Sequence, residues 1–213
     1  MALNHHPKIV TNGLIFYIDP SNKNSYSGTG LTLENLMGGT GATLVNGPVF
    51  SPNNLGYIDT DGSNDYLNLT LPSLTSYTID FWLNINSYDN SERQLLGTNG
   101  DIVGISLYTG KFNVWNGSTN TGNTSFTTTV WYNAVFTRNG TGTTIHLNGA
   151  VDKGFLTGNT ISSGRATIGS IIIAGNPARN TNAYFGSVKI YNRALSINEI
   201  KQNYNALKGR YET

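Results

Sequence analysis

The stretch Tyr77–Ile85, which reads YTIDFWLNI, decides the fold class of this chain. Its apolar residues occupy every second position: Ile79, Phe81, Leu83 and Ile85. An alternation of period two is typical of a β-strand with one buried face. The opposite face carries Asp80, Trp82 and Asn84. The stretch therefore predicts a sheet whose outer side bears polar and aromatic residues.

Short alternating segments continue on both sides of this strand, separated by turns rich in Asn, Gly, Thr and Ser. Pairs such as Asn139–Gly140 and Asn148–Gly149 suit hairpins, because both residue types tolerate positive φ. About a dozen short strands without interleaved helices predict an all-β, two-sheet antiparallel jelly-roll sandwich. The other predicted strands are Leu14–Asp19, Ala42–Val45, Tyr57–Thr60, Tyr66–Leu69, Asp101–Tyr108, Lys111–Trp115, Val130–Arg138, Thr143–Leu147, Ala166–Ile173 and Tyr184–Tyr191.

The C-terminal segment has a different pattern. Ser196 and Glu199 are spaced as a capping box, in which each side chain bonds the other residue's backbone amide. Apolar residues then recur at helical spacing until Gly209, a residue that commonly ends helices. We predict a short α-helix over about 197–208 that packs on the sandwich.

Composition restricts the function classes. The chain has 213 residues, 12% of them charged, a net charge of +1 and no Cys. The absence of Cys excludes disulfides and thiolate metal sites, and the near-zero charge argues against a nucleic-acid partner. No apolar run is long enough for a membrane helix, and residues 1–10 lack a signal-peptide core. We expect an N-terminal arm over 1–12 and one domain over 13–213.

Several motifs together resemble a known family. Asp61–Leu67 (DGSNDYL), Tyr77–Asn84 (YTIDFWLN) and the tryptophan hairpin from Trp131 to Gly149 are similar to segments of LamG-like domains. The most specific segment is Ile190–Ser196 (IYNRALS) followed by Glu199. The resemblance implies the concanavalin A-like lectin/glucanase jelly roll, a fold that often binds glycans.

The ends of the chain are similar to free-standing LamG-like virion proteins of tailed phages. The segments are Pro7–Asp19 (PKIVTNGLIFYID) and Asn203–Tyr211 (NYNALKGRY). The resemblance implies a virion-surface protein, made in the host cytoplasm and present as a homo-oligomer. Its partner would be a host or environmental glycan. The alternative is a capsid decoration or a tail or fibre subunit that binds other virion proteins and no sugar.

The resemblance also makes calcium possible, although no cofactor is required by the sequence. Asp59, Asp61 and Asp65 offer carboxylates within one turn, and Ca²⁺ prefers oxygen ligands. The family's later acidic position is replaced here by Gly186–Ser187, which removes one expected ligand. The alternative is an Asx-rich turn whose side chains bond the backbone. Asp80, Trp82, Asn84 and Asp89 match the spacing of a legume-lectin metal loop, for which chance is the alternative.

Sugar stacking is the candidate binding chemistry, because pyranose C–H faces pack on aromatic rings while amides bind hydroxyls. Trp82 and Trp115 lie on the polar phase of their strands, so we expect both on one sheet. The same phase carries the other candidate ligand residues: Asn84, Tyr108, Asn113 and His146. The alternative is that loops or another subunit cover both indoles. By resemblance, Trp131 is expected in the core.

Catalysis is not expected. Glycoside hydrolases of this superfamily carry two acids in an E-x-D-x-x-E strand pattern, about 5–5.5 Å apart. The four Glu residues lie far apart in the sequence and none has an acidic partner at that spacing: Glu34, Glu92, Glu199 and Glu212. His146 is isolated from any nucleophile that the sequence reveals, and His5–His6 lies at the terminus. We predict a non-enzyme, with a glycoside hydrolase as the weaker alternative.

Overall fold

A computed structural model describes residues 7–53, 56–98, 104–115, 118–157 and 159–211, with backbone alone at 155–157. It confirms the predicted sandwich of two antiparallel sheets followed by one C-terminal helix. The strands are β1 (Leu14–Ile18), β2 (Thr32–Leu33), β3 (Ala42–Val45), β4 (Val49–Ser51), β5 (Tyr57–Asp61), β6 (Tyr66–Leu71), β7 (Ser76–Ser87), β8 (Arg93–Thr98), β9 (Gly104–Tyr108), β10 (Lys111–Trp115), β11 (Thr119–Ser125), β12 (Trp131–Asn139), β13 (Gly142–Leu147), β14 (Ala150–Thr157), β15 (Gly164–Ile168), β16 (Ile171–Ile173), β17 (Asn176–Ala178) and β18 (Asn182–Tyr191).

Sheet A has the order β14-β13-β12-β7-β18-β5-β4, and β1 also pairs with β18. Sheet B has the order β11-β10-β9-β8-β15-β6-β3-β2, and β16 and β17 form a separate small hairpin. The strand Tyr77–Ile85 lies in the middle of sheet A as part of β7. Its Phe81 packs against Phe136 and Phe185 in the core between the sheets.

Sequence reasoning missed the strands that lack alternation. The seven residues of β11 read TNTGNTS, and sheet pairing with β10 makes them a strand in spite of this polar composition. The other missed strands are β2, β4, β8, β14 and β17. The predicted strand Ala166–Ile173 is two strands, because Gly169 turns the chain with φ of 85°. Residues 101–103 of another predicted strand lie outside the described residues.

One open side of the sandwich is closed by a carboxylate that bridges the sheets. Asp152 on β14 accepts hydrogen bonds of 2.9 Å from the backbone amides of Asn123 and Thr124 on β11. Gly122 leaves room for this carboxylate, because a Cβ atom there would come too close to its oxygen and displace it. The edge strands of the two sheets are thereby held together.

The C-terminal helix α1 (Ile197–Tyr211) begins as predicted and ends later. The Glu199 carboxylate accepts from the Ser196 amide at 2.8 Å, which confirms the capping box. The predicted end at Gly209 is wrong, because the last turn is held by side chains beyond it. Arg210 pairs with Asp19 at 2.8 Å, and Tyr211 is buried. In the described ranges, no helix has the length and apolarity needed to cross a membrane.

A buried polar network attaches α1 to the outer face of sheet A. Asp80 on β7 and Lys189 on β18 are both fully buried, with Oδ2 and Nζ 3.3 Å apart. The same carboxylate accepts from Asn133 at 2.8 Å and from Asn203 on the helix at 3.1 Å. Asn203 also accepts from the Val10 amide at 2.8 Å. The network therefore connects sheet, helix and N-terminal segment at one point.

We expect Lys189→Met to lower the free energy of unfolding by about 3–5 kcal/mol, because the Asp80 charge would stay buried without its partner. Urea denaturation followed by tryptophan fluorescence measures this loss. The double variant Asp80→Leu/Lys189→Met should lose less than the single variant, since no isolated charge remains. A loss below about 1 kcal/mol in the single variant would show that the pair does not hold the helix in place.

Candidate functional site

The residues predicted to form one sugar site lie on two different sheets. Trp82, Asn84 and His146 belong to sheet A, whereas Tyr108, Asn113 and Trp115 belong to sheet B. The expectation that Trp82 and Trp115 share a sheet is therefore wrong. Strand alternation gives the face of a residue but not the sheet, which depends on pairing between distant strands.

Trp82 does lie on the outer face of its sheet, but the helix covers it. Its side chain is 0% exposed, and its ring stacks on Tyr211 at 4.5 Å and on Tyr204 at 5.8 Å. Its indole face is thus not available to a sugar ring. Asn203, on the side of the helix that faces the sheet, is also fully buried.

Tyr108, Asn113 and Trp115 share the outer face of sheet B. Tyr108 and Trp115 are half-buried, and Asn113 is fully buried. The Asn113 amide nitrogen donates to Ser106 at 2.9 Å, and its oxygen accepts from the Asn120 amide at 2.8 Å. Because these bonds engage both ends of the amide, Asn113 acts in this structure as a support for the face.

An open row of side chains crosses the outer face of sheet A beside the helix. Cross-strand pairing aligns five residues, which we call the aromatic row: Trp131, Asn84, Tyr184, Asp59 and Val49. Neighbouring strands lie about 4.8 Å apart, so Trp131 and Asp59 are separated by roughly 14 Å across three strand spacings. Trp131 and Tyr184 are half-buried, and Val49 is 62% exposed.

The rings of the aromatic row are fixed by their neighbours. Tyr57 stacks on Tyr184 with ring centroids 4.4 Å apart and meets Trp131 edge-on at 5.9 Å. Trp131 also contacts Tyr211 of the helix at 4.7 Å. The expectation that Trp131 is a core residue is wrong, since it lies outside the core between the sheets and is partly open to solvent. The two partly exposed rings are therefore held in place by aromatic contacts.

Two polar groups in the aromatic row lack hydrogen-bond partners or ion-pair partners among the described residues. The Oδ1 atom of Asn84 is buried and has no hydrogen-bond partner, and the residue is only 6% exposed. Such an atom is costly unless something bonds to it. Asp59 is half-buried, and burial followed by the charges of Asp65 and Asp61 raises the pKa of its carboxyl above the ordinary value.

A recess of about 250 Å³ adjoins the aromatic row. It is lined by Val49, Asp59, Asp61, Asp65, Asn86 and Asn182. Burial, with the charge of Asp61, raises the pKa of Asp65. The Ser63 amide donates to Asp61 at 2.7 Å and lowers the pKa of that carboxyl. The recess is thus acidic, with amides on its wall.

Two of the three carboxylates that the sequence offers for calcium accept hydrogen bonds within their own turn. Asp61 accepts from the backbone of its own turn, and Asp65 accepts from the Asp61 amide at 3.3 Å, as the Asx-turn alternative predicts. Within the described ranges, no group of three acidic or His side chains is arranged to hold a metal ion. Ca²⁺ requires six to eight oxygens. Calcium binding by Asp59, Asp61 and Asp65 thus stays a prediction from sequence alone.

Three residues that match the legume-lectin spacing, Asp80, Trp82 and Asp89, form contacts with other parts of the protein. Asp80 is in the buried pair with Lys189, and the carboxylate of Asp89 pairs with Arg93 four residues later. Arg93 holds the pKa of Asp89 at about 2. Trp82 lies under the helix, so these positions share no open site.

The chain belongs to the concanavalin A-like lectin/glucanases superfamily, because the family model Laminin_G_3, described by that name, matches residues 61–201. The match confirms the family that the motifs Asp61–Leu67 and Ile190–Ser196 indicate. No curated protein matches the sequence.

Solved structures show the same fold. The Trypanosoma rangeli sialidase, in a covalent intermediate with 2,3-difluorosialic acid, matches with a TM-score of 0.71 at 17% identity, over 100% of this chain and 36% of the sialidase. Domain 4 of AbnA, a GH43 extracellular arabinanase from Geobacillus stearothermophilus in complex with arabinotriose, matches with a TM-score of 0.71 at 12% identity, over 90% of this chain and 98% of the domain. The chain thus spans about a third of the sialidase.

His146, the remaining predicted ligand residue, is 5% exposed and lies 3.1 Å from the Thr137 hydroxyl through Nε2. Burial lowers the pKa of His146 to about 4. As the pH falls, His146 is therefore protonated near pH 6.5 in the unfolded chain but only near pH 4 in the folded protein. The free energy of unfolding decreases between these two pH values, because the unfolded chain binds the proton more readily.

We expect His146→Gln to reduce this loss of stability on acidification. Between pH 7 and 4, the parent protein should lose on the order of 1–3 kcal/mol more unfolding free energy than the variant. Chemical denaturation at a series of pH values measures the difference. Parallel pH curves for the two proteins would contradict the role of His146.

Proposed function

We propose that this protein recognises an oligosaccharide on the aromatic row of sheet A and does not cleave it. The observation that carries the proposal is the unpartnered Oδ1 of Asn84 between two partly exposed rings, those of Trp131 and Tyr184. Aromatic faces pack on the C–H faces of sugars, and amides bond their hydroxyls. A row of roughly 14 Å suits a ligand longer than one ring.

The superfamily and the solved structures support a sugar ligand. An arabinanase domain of the same fold was solved with arabinotriose, and a sialidase with a sialic acid derivative. Those ligands belong to those proteins. For this chain the support comes from the chemistry of Trp131, Asn84 and Tyr184, which offer stacking and hydrogen bonding on one face.

Binding without catalysis is supported by where two of the four glutamates lie. Glu92 pairs with Arg179 at 3.3 Å, and Glu199 pairs with Arg193 in the capping region of the helix. Neither belongs to the aromatic row or to the E-x-D-x-x-E strand pattern of the hydrolases. Incubation with polysaccharides and a reducing-sugar assay tests this part, and release of reducing ends would overturn it.

We further propose that the protein is a surface component of a tailed-phage particle, in line with its resemblance at Pro7–Asp19 and Asn203–Tyr211. The ligand would then be a host or environmental glycan. Many copies on one particle would multiply a weak affinity for each site. If the protein instead only decorates the particle, it should bind particles that lack it and bind no sugar.

Trp131→Ala should weaken binding of an oligosaccharide at least tenfold, or about 1.4 kcal/mol, because it removes the largest ring of the aromatic row. A glycan array first identifies the ligand, and titration calorimetry measures the affinity. Trp115→Ala is the matched control, since it removes a half-buried indole from the other sheet. Trp131→Phe should retain part of the affinity.

Circular dichroism establishes that each variant is folded. Loss of binding in Trp115→Ala with unchanged binding in Trp131→Ala would show that the ligand binds on sheet B and contradict a site on sheet A. Absence of any ligand on the array would count against glycan recognition itself.

A pelleting assay tests the proposed location. The protein should co-sediment with particles that lack it, and the bound fraction should show no dependence on added glycan. A protein that stays in the supernatant with such particles would contradict a virion-surface role.

A further inference from the structure

The ligand's charge can be argued from the groups around the aromatic row, on the premise that the row binds sugar as proposed above. Asp59 lies in that row next to Tyr184, and Asp61 and Asp65 line the adjoining recess. Among the described residues, no ion pair includes any of the three carboxylates. The Asp59 carboxylate also accepts no hydrogen bond within those ranges.

Three cationic side chains of the described residues form ion pairs with acids outside the recess. Arg210 pairs with Asp19 at 2.8 Å and also donates to the Gly56 carbonyl at 3.0 Å. Lys189 is fully buried beneath the helix with its own acid. Arg93 pairs with Asp89 in the neighbouring loop. The described cations therefore do not neutralise the recess.

A sugar that stacks on Tyr184 places its ring substituents beside Asp59, one strand away. A carboxylate on that sugar would meet three like charges, whereas an ammonium would meet opposite ones. An ammonium needs only acceptor oxygens within hydrogen-bond reach and no cage of six to eight ligands. The unpartnered Oδ1 of Asn84 supplies a further acceptor in the same row.

We propose that the ligand is an oligosaccharide of amino sugars with free ammonium groups, bound by Trp131 and Tyr184 through stacking and by Asp59 through its charge. The site rejects sialic acids and uronic acids. This differs from the ligand of the sialidase that shares the fold, which was solved with a sialic acid derivative.

Titration calorimetry with three probes tests the proposal: the trimer of glucosamine, its fully N-acetylated form, and sialyllactose. At about pH 6, where the amines are protonated, we expect the glucosamine trimer to bind about tenfold more tightly than the acetylated trimer. Sialyllactose should bind most weakly. High salt should shrink the difference, because the groups are partly exposed to solvent.

Two isosteric variants separate charge from fold. Asp59→Asn should remove the preference, so that the glucosamine trimer binds no more tightly than the acetylated trimer. Glu34→Gln removes one equal charge from an exposed position beside β2 in sheet B, and should leave the preference intact. Both variants are checked for folding by circular dichroism.

The outcomes separate the two proposals. Equal or tighter binding of the acetylated trimer or sialyllactose, with loss of binding in Trp131→Ala, would overturn the charge preference and leave sugar recognition standing. A glucosamine trimer that does not bind would also overturn the charge preference. If no sugar on the glycan array binds, both the charge preference and sugar recognition are contradicted.

Discussion

The docking of α1 on sheet A determines which part of the outer face remains open. Tyr211 and Tyr204 stack on Trp82, and Asn203 joins the buried pair of Asp80 and Lys189. This contact covers Trp82 in the middle of the face and leaves a strip beyond the helix end partly exposed. That strip is the aromatic row. The position of the candidate site therefore depends on how the C-terminal helix packs.

The helix also shapes the site from within. Tyr211 contacts Trp131, so the last helical turn supports the first ring of the aromatic row. Arg210 lies over the Tyr211 ring at 4.6 Å and is held by Asp19. The recess on the other end of the row has only acids and amides as polar groups. The aromatic row thus has an aromatic end at Trp131, which the helix supports, and an acidic end at Asp59, which adjoins the recess.

Local pattern in the sequence predicted the fold well. Alternation in Tyr77–Ile85 indicated the central strand, the capping box placed the start of α1, and the motifs indicated the superfamily. The site was harder to predict, because an outward side chain is not always exposed. Trp82 faces outward as predicted, yet the helix covers it. The alternation on their strands also places Tyr184 and Trp131 on an outward face. It does not indicate which sheet each strand joins or which residues lie beside it. Only long-range pairing aligns them with Asn84.

The three tryptophans of the chain allow a direct test of where the ligand binds, because each indole N–H gives its own signal in a proton–nitrogen correlation spectrum. Trp131 lies in the aromatic row, Trp82 under the helix, and Trp115 on the opposite sheet. Titration with an oligosaccharide that binds the protein should shift the Trp131 indole signal strongly and leave the Trp115 signal in place. A shift confined to Trp115, or saturation without any change at Trp131, would contradict a binding face on sheet A.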